Sequence, residues 1–190
     1  MTHDGPHLVV RAEGRTLGLE ALSRTHILLG LDTTCHHLAP LSATCRTVRL
    51  RLPIVWHPWR RLRALTHINL HWRPLDGLLG ATNGSNLIVM DPRQSQAQRR
   101  CTIAHELAHI ELGHTGGCAG AEEAQARRLA ARWLIDMDRL LDALSWSEEL
   151  EEVAEELWVD LDTLYARLDG LTAGERAQLC ALHERLDRGA

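Results

Sequence analysis

The chain has 190 residues, 45% hydrophobic and 24% charged, which suits one globular domain with at most an appendage and excludes a chain that is disordered or fibrous throughout. Formal net charge is −4, yet the first hundred residues carry 13 Arg against 6 acids and the last ninety carry 8 Arg against 19 acids. No run approaches the 18 apolar residues of a membrane span, and Cys35, Cys45, Cys101, Cys118 and Cys180 form no CxxC pair, so a cytoplasmic chain without a disulfide framework is expected.

Residues 1–60 read as a poorly patterned N-terminal extension, in which VRLRLPIV at 48–55 alternates like a strand until Pro53 interrupts it. The arginines of this half are scattered among Pro, Leu and Trp without a nucleic-acid-binding signature, so no direct contact with nucleic acid is expected. GLLGATNGSNLIVM at 77–90 places two β-prone runs around Asn83-Gly84-Ser85, whose Asn and Gly accept the positive φ of a tight turn, and predicts a hairpin. Asp91-Pro92 with Gln94 three residues on predicts a capped helix start, and that helix runs to Leu112 before Gly113 stops it. A loop follows at 113–120.

All six prolines precede residue 93, and the remainder reads as helical. A second helix is predicted over about 121–144, with an apolar stripe through Ala126, Leu129, Ala130, Trp133, Met137, Leu140, Leu141 and Leu144. Further helices are predicted at about 148–158, from Asp160 or Asp162 to Gly170, and at about 173–187. The expected class is therefore α+β, a small N-terminal sheet with a hairpin and then a mainly helical half.

The first long helix contains His105-Glu106-Leu107-Ala108-His109, an HExxH pattern. Residues four apart lie one turn above each other, so both imidazoles project from one face and can share one metal ion, for which zinc is suited. Glu106 lies about 100° further round, where its carboxylate reaches a water beside the metal rather than the metal itself, as a general base requires. From Cys101 to Leu112 the helix is apolar nearly all round except for Thr102, His105, Glu106 and His109. A buried ionisable stripe needs compensation, and a metal provides it.

A catalytic zinc needs a third protein ligand. His114 lies five residues after His109, about 140° off the ligand face and beyond the helix stop, and is kept as a reserve. Glu122 and Glu123 both open the next helix, where acids also favour the dipole. Glu123 is preferred because Ala126 and Ala130 on its own face let the two helices approach closely. Arg99 and Arg100 precede the site by one to two turns and are candidates for contact with substrate or with a ligand carboxylate. The tryptophans, in a chain without Phe, are expected to carry the bulky aromatic volume of core or interface.

RRCTIAHELAHIELGH at 99–114 followed by EAQARRLAARWLI at 123–135 resembles the ImmA/IrrE family of zinc metallopeptidases. The resemblance covers about residues 67–145 and implies a zincin-like fold, zinc held by His105, His109 and Glu123, and a catalytic Glu106. It further implies that the protein substrate is a transcriptional regulator, notably a helix-turn-helix repressor of a mobile element or stress response. Two positions depart from the family pattern: Arg127 stands where Asn is usual, and Asp136 stands where Met-Pro is usual. On this reading 61–145 is the metallopeptidase domain and 146–190 a set of C-terminal helices. The rival reading is a non-catalytic zinc-binding regulator that acts by binding a repressor or DNA. VAEELWVDLDTLYARL at 153–168 faintly resembles a helix-turn-helix, but its four acids against Arg167 would repel phosphate, and Trp158 stands where a tight turn prefers Gly.

Overall fold

Two crossing signals, the hairpin and the helix after it, organise the structure. A computed structural model describes residues 56–115 and 120–189. The strand expected at 48–55, nearly all of the 1–60 extension, and Cys118 lie outside the described residues. The architecture is α+β and zincin-like: α1 (Pro58–Ala64), β1 (Asn69–Trp72), β2 (Gly80–Thr82) and β3 (Leu87–Met90) precede α2 (Gln96–Leu112). Then follow α3 (Ala121–Leu134), α4 (Met137–Trp146), α5 (Leu150–Leu157), α6 (Leu161–Asp169) and α7 (Ala173–Gly189). Among the described residues no helix is long and apolar enough to cross a membrane.

The predicted hairpin forms, with β2 antiparallel to β3 and Thr82 opposite Ile88. Its turn works as read for Gly84, which holds φ +71. Asn83 contributes differently: its side-chain oxygen accepts from the backbone N–H groups of Ser85, Asn86 and Leu87 at 3.0–3.1 Å, an Asx-type cradle. Sequence patterning does not show β1 or α1. β1 is mostly exposed and pairs in parallel with β3, so among the described residues the sheet order is β1-β3-β2, with β2 at an edge.

The helix start differs from the sequence expectation. Ser95, not Asp91, is the N-cap, and Ser95 and Gln98 form the reciprocal capping box, with Gln98 N–H to Ser95 Oγ at 3.2 Å and Ser95 N–H to Gln98 Oε1 at 2.9 Å. Both sites carry the same local pattern. Tertiary bonds decide between them: Asp91 is already committed to the Leu75 N–H at 2.8 Å and to Arg93, contacts that hold its carboxyl well below the usual carboxylate range, the Arg93 guanidinium most of all. Gln94 instead donates to Leu79 O and accepts from the Thr102 hydroxyl, tying the approach to β2 onto α2.

The predicted 121–144 helix is two helices. α3 ends at Leu134, Ile135 turns extended, and the Asp136 side chain caps α4 by accepting from Arg139 N–H at 2.9 Å. The carbonyls released at the break are taken by buried arginines: Leu134 O by Arg100 and Ile135 O by Arg167. Arg100 also donates to Leu157 O and Trp158 O and stacks against the Trp158 ring, so it serves the fold and not a ligand carboxylate. Trp158 takes the positive φ of 57° at the end of α5, the position where Gly would be easier. Of the tryptophans, Trp133 stacks on Trp56 at 4.8 Å, whereas Trp146 is 68% exposed and adds nothing to the core.

α2 is buried on two sides, which explains its nearly unbroken apolar character. Ile103 and Leu107 pack on Ile88 and Met90 of the sheet, while Cys101, Ala104 and Ala108 join Ala126, Ala130, Leu134, Val153, Leu157 and Leu164 of the later helices. Each such fully buried Ile or Leu contributes about 1.5–3 kcal/mol relative to exposure.

An ion pair between a buried arginine and a partly exposed glutamate closes the helical half. The Arg167 guanidinium, 3% exposed, bonds Glu175 Oε1 at 2.5 Å, and Glu175 Oε2 accepts from Thr172 N–H at 2.8 Å. The Thr172 backbone bond and then Arg167 hold the Glu175 carboxyl down to about 2. Its folded value lies below its ordinary 4.5, so its contribution to stability is complete above that value and is lost as pH falls towards 2. Urea unfolding should show this as a declining midpoint over that window, flattened in Glu175→Gln. At pH 7 Glu175→Gln should cost about 3 kcal/mol, the low end for a pair whose arginine is left buried.

Candidate metal centre

The i, i+4 spacing places both imidazoles on one face of α2, as the sequence implies. His105 Nε2 and His109 Nε2 stand 3.0 Å apart, and His109 is fully buried. The third element arrives because α2 and α3 meet through small side chains: Ala104 and Ala108 face Ala126 and Ala130, all at most 4% exposed. That close approach carries Glu123 to the imidazoles, with Oε1 at 3.4 Å from His105 Nε2 and Oε2 at 3.5 Å from His109 Nε2. Glu122, one residue earlier, is exposed.

These three residues could hold a metal ion, their ligand atoms all lying within 4.8 Å of one another. The donor set and its spacing fit zinc: two ligand atoms each about 2.0–2.1 Å from one tetrahedral ion stand roughly 3.3–3.4 Å apart. Two nitrogens and one carboxylate also leave a fourth position open.

Glu106 is 1% exposed and lies beneath the start of β2. A Cβ built on Gly80 would sit 2.5 Å from Thr102 Cγ2 and 3.0 Å from Glu106 Oε1, so only a glycine lets the edge strand settle onto this carboxylate. Leu79, Gly80, Thr102, His105, Glu106 and Arg127 line an open cleft whose far wall is formed by the start of α6. The Glu106 carboxylate, the His105 imidazole and the backbone of Leu79 and Gly80 therefore face a common space.

Cys101 also borders this cleft, but burial pushes its thiol up to about 12, so it offers no thiolate nucleophile near neutral pH. This agrees with its reading as a small apolar group. Neither Arg99 nor Arg100 contacts the ligand carboxylate: Arg99 bonds Pro92 O and stacks over Trp72, and Arg100 is taken up by backbone carbonyls. Arg127 does the job instead, its Nε donating to Glu123 Oε1 at 2.8 Å. The signal for this contact was present in the i, i+4 spacing of Glu123 and Arg127. Outer-shell bonds of this kind fix the orientation of a ligating carboxylate.

His114 is not on the metal side of the cluster. Its Nδ1 lies 3.1 Å from His109 Nδ1, on the opposite ring edge from the Nε2 that faces Glu123. The reserve role as third ligand is thus corrected, because the His109 ring stands between His114 Nδ1 and the Nε2 edge that faces Glu123 and His105.

The family model described as Peptidase_M78, IrrE N-terminal-like domain, matches residues 65–169, more than half of the chain. No curated protein and no solved structure matches the chain.

Proposed function

We propose that this chain, which belongs to the ImmA/IrrE family of Peptidase_M78 domains, is a zinc-dependent endopeptidase whose substrate is a helix-turn-helix transcriptional repressor. The observation that supports it best is the convergence of two α2 imidazoles and the Glu123 carboxylate beside a buried Glu106 that borders a cleft. His105, His109 and Glu123 bind the metal. When bound, zinc supplies Lewis acidity, lowering the pKa of water at its open position to about 7 and polarising a peptide carbonyl.

The protein groups do the rest. Glu106 takes the proton of the attacking water on a carboxylate oxygen and returns it to the leaving amine nitrogen, so the C–N bond breaks with one water consumed. Its burial excludes competing solvent and keeps the carboxylate aimed at the cleft. Arg127 keeps Glu123 in a single orientation. β2 lies at the sheet edge with Leu79 and Gly80 in the cleft, so an extended substrate can add as a further strand and have its backbone aligned past Glu106. The enzyme works in the cytoplasm, where such a repressor resides.

The test is direct. Purified protein with one equivalent of zinc, incubated with a helix-turn-helix repressor encoded beside it, should give two fragments by intact-mass spectrometry. A chelator should stop the reaction and added zinc restore it. A repressor that leaves its operator uncleaved would favour the non-catalytic binding role.

A further inference from the structure

We propose that His114 is a positioning residue that orients the ligand His109, and that the hairpin turn at Gly84 holds His114 in place. The inference rests on the reading of His105, His109 and Glu123 as metal ligands.

Local geometry places His114 where helix periodicity does not. Gly113 adopts φ 70, and the chain reverses there with Gly113 N–H bonded to Ile110 O and His114 N–H to His109 O at 3.0 Å. This left-handed cap folds the next residue back beneath the last turn of α2. The His114 ring is buried, and its Nδ1 meets His109 Nδ1 at 3.1 Å with the rings edge to face. The backbone of His114 is fixed from the other side. A Cβ built on Gly84 would fall 1.9 Å from His114 O and 3.0 Å from Thr115 Cα, so the turn of the hairpin sits directly on this segment. Gly84 is itself held by its N–H bond to Thr82 Oγ1 at 3.1 Å.

The chemistry follows from the two ring nitrogens. A neutral imidazole that presents the Nε2 lone pair to a metal carries its proton on Nδ1. That N–H donates to His114 Nδ1, which accepts and keeps its own proton on Nε2. The bond selects one tautomer of His109 and one ring rotation, so less is lost when the metal binds. Gly80 over Glu106 and Gly84 over His114 thereby make one hairpin the template for both the base and a ligand.

Three variants separate acceptor chemistry from packing, read as zinc affinity by competition with a chromophoric chelator. His114→Asn keeps an acceptor near the Nδ1 position and should stay within a few-fold of wild type. His114→Phe fills the volume without an acceptor, and His114→Ala removes both; each should bind zinc about 10–100-fold more weakly. Phe at wild-type affinity would overturn the proposal, since packing alone would then suffice. If the Phe and Ala variants do not fold, the zinc-loaded wild type decides the matter: nitrogen NMR should show a scalar coupling across the His109 Nδ1–H to His114 Nδ1 bond, and its absence overturns the inference. A wild-type protein that binds no zinc would instead remove the ligand reading beneath it.

Discussion

Glu106→Gln is expected to retain one zinc per chain and to lose cleavage of the repressor by about 100- to 10,000-fold, the range for removal of a general acid–base group. Gln matches Glu in volume, so the contact beneath Gly80 and Thr102 survives the change. What disappears is the ability to accept and return a proton. Folding should not suffer, because the carboxylate is 1% exposed and an amide is easier to bury than an ionised acid. The thermal midpoint should therefore equal or exceed that of the wild type while turnover collapses. Metal content by mass spectrometry and turnover on the same preparation separate the two effects. Undiminished cleavage by Glu106→Gln would sink the mechanism and leave binding as the function.

Glu123→Ala should do the opposite, stripping the metal while Glu106 stays in place. Two imidazoles alone make a weak site, so zinc affinity should fall by well more than the 10–100-fold typical of outer-shell losses. Glu122→Ala is the matched control. Both acids sit in the first turn of α3, and each contributes about 0.3–1 kcal/mol through the helix dipole. In the metal-free protein their effects on thermal stability should thus be similar and small, while only Glu123 lies 3.4–3.5 Å from the imidazoles. Titration with a chelator should show Glu122→Ala within about two-fold of wild type, because it removes no ligand and no outer-shell partner. Equal losses from the two variants would refute the assignment of Glu123.

Several features of the site were legible because they depend on neighbours within one or two helical turns. The shared face of His105 and His109 follows from 3.6 residues per turn, and the stop at Gly113 from its access to positive φ. The approach of α3 was readable from Ala126 and Ala130, since small residues on one face permit a close crossing. The hairpin was readable from Asn83-Gly84. Asp91 and the Leu134–Asp136 break show where such reading stops. Asp91 and Ser95 both start an acceptable capping pattern, and only the distant Leu75 N–H and Arg93 draw Asp91 away. The apolar stripe likewise continues across Ile135, and only Arg100 and Arg167, brought from elsewhere, satisfy the carbonyls freed by the break.

The sequence by itself determined the two imidazoles, their common face and the carboxylate beside them, because a helix converts spacing into direction without help from the rest of the chain. Tertiary structure alone decided that Glu123 reaches both imidazoles and that His114 turns back to the far edge of His109. Those contacts join residues across a chain reversal or between elements. Their distances are set by how α2 is packed between the sheet and α3, a property of side-chain volumes in three dimensions and not of local periodicity.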